Sequence, residues 1–343
     1  MSSVSCRLGF ASLLLSLLIA TPKSIAAPAF TPTAPPPVAP TLPQDIQPDF
    51  RVAALQRDFQ GNLWVASPQG LTKINPNTGR VISRAKIPNL SIGALAQDRV
   101  GRIWIGTTEG LWRIDPKTNE ITAQNLFLPS NRILSLLIDQ RGYLWVGTDS
   151  GLALVSPDRG LVMTTLKNLP GVSANALSLD PEGQLWVGTL DSLVQVDTAS
   201  ARILHTSNLE EGTVQALALD RHGGLWAGTT SGLVKIDPLN RRRERSVTAL
   251  KGREIRSAGF DQAGSIWVGT NNGLLRVNPY NGAIVGEVPN LPSNQILALA
   301  PDTGNKLWVG TSEGLAWVSM TSYETRRHFM FSHSVESELV ELR

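Results

Sequence analysis

The 343-residue chain is 42% hydrophobic and 17% charged, apolar enough to bury a sizeable core and unlike a disordered segment. Residues 1–26 carry Arg7 and Lys23 and no acid, so their removal takes the formal charge from +3 to +1. So small a balance excludes recognition of nucleic acid or of a charged membrane surface by bulk attraction.

The N-terminus has the form of a secretory leader over residues 1–26: Arg7, an apolar run from Leu8 to Ala20, then small residues. Cleavage fits after Ala26 or after Ala29, with an uncleaved anchor as the alternative. The apolar run is short for a membrane span, so the mature chain is expected to have no transmembrane domain and to be periplasmic or secreted. Cys6, the single cysteine, precedes that run and leaves the mature chain without disulfides or thiolate metal sites. Residues 27–49 are rich in Pro, with Pro35-Pro36-Pro37 at the centre, and read as a semi-rigid spacer.

From residue 50 to residue 331 the sequence repeats itself. Trp64, Trp104, Trp145, Trp186, Trp226, Trp267 and Trp308 recur at intervals of 40 or 41 residues. Each follows an Asp by six positions: Asp58, Asp98, Asp139, Asp180, Asp220, Asp261 and Asp302. A period of this length marks propeller blades. Within the third unit, Ile133–Ile138 reads as a first strand and Asp139-Gln140-Arg141-Gly142 as a tight turn. Tyr143–Gly147 and Leu152–Val155 follow as the second and third strands. An Asn/Asp/Ser-Pro-x-x-Gly turn then precedes a less regular fourth strand, as at Arg80–Ala85 and Ala283–Glu287.

Such a meander cannot cover both of its faces, so the units must stack radially, with the Trp ring between blades contributing on the order of 2–3 kcal/mol. The fold expected is all-β: a seven-bladed β-propeller of four-stranded antiparallel blades. The glycines two residues after the Trp, such as Gly106 and Gly147, are expected to permit close strand-to-strand packing. Asn305 stands where the seventh turn expects Gly, a substitution the left-handed region tolerates. The outer strand of the last blade is either Thr325–Phe331 or chain preceding Phe50; the C-terminal segment has the better strand composition. Residues 332–343 form a tail.

The phrase Leu-Trp-Val-Gly-Thr-x-x-Gly-Leu, nearly whole at Leu144–Leu152, Leu225–Pro238, Ile266–Pro279 and Leu307–Leu315, resembles the repeat of two-component regulator propellers. That resemblance implies an exported sensory ring that binds an extracellular ligand. The full sensors of that family often carry two rings, and no kinase, receiver or DNA-binding segment is seen through Arg343, so the chain reads as a stand-alone propeller. Phosphotransfer is not carried over. No ligand residue of that family maps onto this sequence by motif.

Catalytic signals are few. His205, His222, His328 and His333 show no metal-binding spacing, and His222 falls in the fifth Asp-x-x-Gly turn, where it reads as solvated. The seven turn Asp residues are kept apart by the ring, and no serine sits in a Gly-x-Ser-x-Gly elbow. Neither a metal nor a cofactor is expected. Arg241, Arg242, Arg243 and Arg245 lie on the outer edge of blade five and read as a solvated face.

The loops leading into the innermost strands converge on the axis, where propellers bind. Seven residues before the turn Asp stand Arg51, Ser91, Arg132, Ser173, Thr213, Glu254 and Gln295; five before it stand Ala53, Gly93, Leu134, Asn175, Gln215, Arg256 and Leu297. Four before it the residue is always small. Arg132, Asn175, Gln215, Glu254, Arg256 and Gln295 form the candidate ligand-binding set, suited to a small hydrophilic ligand or a peptide. The leading expectation is a monomeric, non-enzymatic binding or interaction module. Two alternatives stand beside it. An enzyme similar to streptogramin lyases would want a His and an acid near the axis with a divalent cation. The other is a structural scaffold of the cell envelope.

Overall fold

The structure, a computed structural model, describes residues 49–87, 91–125 and 127–332. The leader, the linker up to residue 48, His333 and the tail beyond residue 332 lie outside the described residues. Seven four-stranded antiparallel sheets follow one another, each made of four consecutive strands. In the third these are Ile133–Ile138, Leu144–Thr148, Gly151–Ser156 and Leu161–Leu166. The innermost strands are Ala54–Arg57, Ile92–Gln97, Ile133–Ile138, Ala176–Leu179, Val214–Leu219, Ile255–Phe260 and Ile296–Ala300. Each lies against the next, and the last against the first, so the sheets close into a ring.

The core is not one mass but seven layers, one between each pair of neighbouring blades. Trp64 packs on Ile103, Ile105 and Ile114 of the second blade, and Trp145 on Leu185, Val187 and Val194 of the fourth. The pattern runs round to Trp308, which packs with Leu63, Val65 and Ile74 of the first blade. All seven indoles are essentially inaccessible to solvent.

A buried indole N–H needs an acceptor. In five blades the turn Asp supplies it. Trp104, Trp145, Trp186, Trp226 and Trp267 donate to Oδ2 of Asp98, Asp139, Asp180, Asp220 and Asp261 at 2.9–3.1 Å. The other oxygen of the same carboxylate receives the backbone N–H four residues on, as from Gln184 at 2.7 Å and Gly224 at 2.8 Å. One side chain therefore ties the turn to the core. Burial pushes the Asp220 carboxyl upward, but the bonds from Trp226, Gly224 and His222 and the charge of Lys235 hold it below its usual range.

The repeat glycines serve the neighbouring strand and the neighbouring blade alike: a Cβ on Gly147 would lie 2.1 Å from Ser135 Oγ of its own blade and 2.3 Å from the Ala174 carbonyl of the next. A Cβ on Gly106 would lie 2.5 Å from Ile133 Cγ2, and one on Gly228 2.5 Å from Ile255 Cγ2; both partners belong to the next blade. The expectation of strand-to-strand packing therefore holds and extends to the next blade: removing the side chain also lets the following innermost strand approach the axis. Asn305 does adopt the left-handed region, at φ +57°.

The ring closes without strand exchange. The seventh sheet takes Ile296–Ala300, Lys306–Thr311, Gly314–Ser319 and Thr325–Arg327 in sequence order. The outer strand is shorter than Thr325–Phe331 because the chain, after a last bond from His328 N–H to the Leu315 carbonyl at 2.7 Å, turns into a 3-10 turn at Phe329–Phe331. Across the seam, Val52 N–H donates to the Thr311 carbonyl at 2.9 Å, and Lys306 Nζ to the Pro76 and Asn77 carbonyls at 2.8 and 2.7 Å. His328 Nε2 donates to the Gly79 carbonyl at 2.7 Å while its ring stacks on Phe329. The two blades flanking the seam also depart from the Asp–Trp pairing. Lys73 Nζ lies 3.3 Å from Asp58 Oδ2 and Trp64 Nε1 is left without a partner. Trp308 donates instead to the Thr303 carbonyl at 3.1 Å.

Two outcomes follow. Asp180→Ala orphans a buried indole and a turn N–H together, so it lowers unfolding free energy by about 1–3 kcal/mol in urea titration. Asp302→Ala, in the blade whose Trp uses a backbone acceptor, costs about 1 kcal/mol or less. The second outcome concerns pH. Burial holds the His328 pKa below 6.5 despite the bond to Gly79, and Nδ1 is buried with no partner. The unfolded chain therefore takes up the proton first: the stabilisation is whole above about 6.5 and drains away as pH falls toward the folded value. Melting temperature should drop more between about pH 7.5 and about pH 5.5 in the wild type than in His328→Phe.

Candidate functional site

Five of the seven innermost strands carry a β-bulge five residues before the turn Asp. The register skips Gly93, Leu134, Gln215, Arg256 and Leu297, so two residues on the innermost strand face one on the second strand. In the first and fourth blades the matching residues, Ala53 and Asn175, stand just ahead of the ladder. They donate N–H to the Ala66 and Gly188 carbonyls at 3.2 and 2.8 Å. A bulged residue is free of the ladder and its side chain is re-aimed. This position varies between repeats because the small residue that follows it, not the bulged one, fits against the repeat glycine.

At the mouth formed by these residues, three consecutive blades are joined by polar side chains. Asn175 Nδ2 donates to the Val214 carbonyl at 3.2 Å. Gln215 Nε2 donates to Glu254 Oε1 at 2.9 Å, and Arg256 Nε lies 3.4 Å from the same oxygen. Asn271 Nδ2 donates to Glu254 Oε2. The structure thus brings together Asn175, Gln215, Glu254 and Arg256. Arg132 and Gln295 lie on the same rim, exposed to solvent, with no side-chain bond to this cluster among the described residues. Sequence reasoning missed Asn271. It sits in the turn between the second and third strands, at an offset where the repeats differ as much as they do on the rim.

The Glu254 carboxylate is occupied by three donors, which fixes it in place and leaves Arg256, with 39% of its side chain exposed, as the outward-facing charge. On the opposite arc of the rim, a recess of about 230 Å³ opens between the first and second blades, lined by Arg51, Ala53, Ser67 and Ser91 among others. Its one cation is answered, since Arg51 Nη2 lies 2.8 Å from Asp49 Oδ2.

The face away from the mouth carries grooves between successive Asp-x-x-Gly turns. They measure about 350 Å³ beside His222 and Lys235, and about 330 Å³ beside Arg99, Arg102 and Arg141. They recur at one place in successive blades, as splayed turns produce, and much of their charge is internally paired. Lys235 Nζ lies 2.9 Å from Glu244 and Arg102 Nε 2.6 Å from Asp98.

The described histidines stand away from the innermost strands. His205 lies on the outer strand Arg202–Asn208, bonded to Ser207 Oγ at 2.9 Å; His222 is exposed in its turn; His328 lies at the seam. The arginine cluster is exposed as expected on the strand Arg242–Ser246, but it is more than a solvated face. Arg241 Nε donates to Gln195 of the fourth blade at 3.0 Å, Arg243 pairs with Glu211, and Arg245 donates to the Pro279 carbonyl of the sixth at 3.1 Å. These side chains clamp blade five to both neighbours.

Four stretches, residues 86–109, 128–150, 168–191 and 290–313, match the family model described as two component regulator propeller. Each runs from the loop before an innermost strand, through the Trp-bearing strand, into the following turn. No curated protein matches the chain in sequence. Among solved structures, the chain is similar to the extracellular domain of a protein described as hybrid two component system BT3049 from B. thetaiotaomicron. The TM-score is 0.65 at 21% identity, covering 79% of this chain and 40% of that one. The extracellular domain of one component system BT4673 from the same organism gives 0.56 at 19% identity, covering 80% and 46%. Virginiamycin B lyase from Staphylococcus aureus gives 0.57 at 15% identity, covering 69% and 83%. The chain therefore spans less than half the length of the two extracellular domains it resembles. At these identities the shared property is the ring itself.

Proposed function

This chain carries two component regulator propeller repeats, and on that premise we propose that it is an exported, non-enzymatic binding module. Its ligand, a small hydrophilic molecule or a peptide, is held at the mouth of the ring. The observation that carries the proposal is the cluster of Asn175, Gln215, Glu254, Arg256 and Asn271, which links three blades through side chains at offsets where the repeats differ. The network lies at the mouth of a ring already closed by its Trp layers, and a prearranged set of donors and acceptors there is what a polar ligand requires. Export is supported by the leader-like residues 1–26 and by two similar structures that are extracellular domains. Among the described residues no helix is long and apolar enough to cross a membrane. The non-enzymatic reading is supported by the placement of the described histidines away from the innermost strands, where a lyase-like mechanism would need one.

The test is a thermal-shift screen of the protein against neutral oligosaccharides, peptides and inorganic ions. A ligand of this site present at a hundred times its Kd stabilises the fold by about 2.7 kcal/mol. Gln215→Ala and Glu254→Gln should each weaken that ligand about tenfold, equivalent to about 1.4 kcal/mol, with the unliganded melting temperature little changed. A ligand whose affinity is indifferent to both substitutions binds elsewhere and overturns the assignment.

A further inference from the structure

The position held by His328 recurs in every blade, level with the Leu that opens the third strand. Ala85, Leu166, Ser207, Val247 and Val288 fill it in five blades and Asn125 in the second. Asn125 makes the bond that His328 makes. Its Nδ2 donates to the carbonyl of Gly160, the turn glycine of the next blade, at 2.7 Å, as His328 Nε2 does to Gly79 at 2.7 Å. The other five side chains make no such bond among the described residues. A bond across this boundary is thus optional, and an amide suffices to make it. What the imidazole adds is the ability to take up a proton, and it stands at the one boundary between blades that the chain does not cross.

A carbonyl only accepts, so the neutral ring carries its proton on Nε2 and leaves Nδ1, buried and without a partner, as a bare acceptor. A second proton would place a charged N–H where no acceptor waits. Trp308 lies 6.0 Å and Phe331 5.3 Å from the ring centroid, and aromatic faces attract a cation by less than burying an unbonded charge costs. No packed element answers the charge either. The strands Gly314–Ser319 and Leu63–Ser67 and the turn Phe329–Phe331 hold no titratable group. Lys306, Arg326 and Arg327 of the last blade, with Arg80 and Arg84 of the first, are cations. Lys73 is paired with Asp58, Asp302 receives the Gln262 N–H, and Glu313 and Glu324 are exposed.

We propose that His328 is an acid-released latch on the last outer strand, so that acidification frees residues 325–332 from the ring while the other blades stay closed. The released unit is small enough to leave alone. Its strand pairs at only three positions, Thr325, Arg326 and Arg327 with Val318, Trp317 and Ala316, and its buried apolar anchor is Phe331 in the layer around Trp308. That layer is also the one flanked by the two indoles without an Asp acceptor, Trp64 with no partner and Trp308 on a backbone carbonyl. The closed seam holds the second proton off, whereas a freed imidazole takes it at its ordinary value of about 6.5. Opening is therefore rare above about pH 6.5 and grows by up to about tenfold for each pH unit of further acidification. Release bares the outer edge of the strand Gly314–Ser319, which carries no charge to discourage pairing. Acid thus acts on one strand before it acts on the fold.

Hydrogen exchange of the full chain, read by mass spectrometry and corrected for the intrinsic effect of pH, tests the latch. Between about pH 7.5 and about pH 5.5, opening of residues 325–332 in the wild type should rise about tenfold. Gly314–Ser319 should lose protection with it, while Leu144–Thr148 of the third blade keeps its own. His328→Asn, which installs the side chain the second blade uses there, should be equally protected at both values. No loss in the wild type, an equal acid loss in His328→Asn, or a loss spread evenly over all seven blades would each overturn the proposal. A second measurement does not depend on how the variant folds. By NMR, the ring nitrogens of His328 in the wild type should become protonated over the same pH range in which residues 325–332 are released. A ring that takes up its proton while the segment stays protected refutes the latch.

Discussion

The bond between a buried indole and the carboxylate six residues earlier organises this molecule. An indole wedged between two sheets excludes water over the largest apolar surface available to a side chain, but its N–H is stranded there unless an acceptor comes with it. Carrying that acceptor on the preceding turn solves two problems with one residue. Asp98, Asp139, Asp180, Asp220 and Asp261 each complete a tight turn with one oxygen and answer the indole with the other. Every blade then delivers a finished wedge to its neighbour, and the angle between blades is set locally.

Because the layers between blades hold the ring, the innermost strands have little left to do but avoid collision. A glycine at the close approach and a small residue opposite it meet that need, and the intervening bulged residue is released from both tasks. This is why polar diversity concentrates at one rim: the fold neither requires nor penalises a particular side chain there. In blades four to six that freedom is used for a connected network. The same separation explains the outer arginines, whose long side chains bridge to adjacent blades where strand ladders end.

Much of this was legible in the amino-acid sequence. The Trp interval and the turn chemistry suffice for the ring and its seven sectors, because each is a local pattern repeated; for the outer strand of the last blade only the strand composition of the C-terminal segment favoured one of two closures. The offsets chosen for the rim also lie on the rim. What escaped were relations between repeats and the directions of side chains. The fixed step from Asp to Trp was visible, yet it read as turn chemistry alone, since a turn accounts for the Asp without reference to the ring. The glycines after the Trp look the same whether they admit a partner strand or a partner blade. Asn271 reaches Glu254 only because strand ends from two different offsets meet at the mouth, and the partners of Arg241 and Arg245 lie 46 and 34 residues away.

The continuous last blade has a mechanical consequence. In a ring whose first and last strands share a sheet, pulling on the two ends shears a whole ladder at once. Here the first and last blades meet across a joint held by a few carbonyl contacts, one histidine ring and a layer around Trp308, so tension between the two ends peels that joint rather than shearing a ladder. Load carried by either end alone passes into a single blade and spares the joint. The protein is accordingly suited to being leashed from one end, and unsuited to serving as a link in a chain under force.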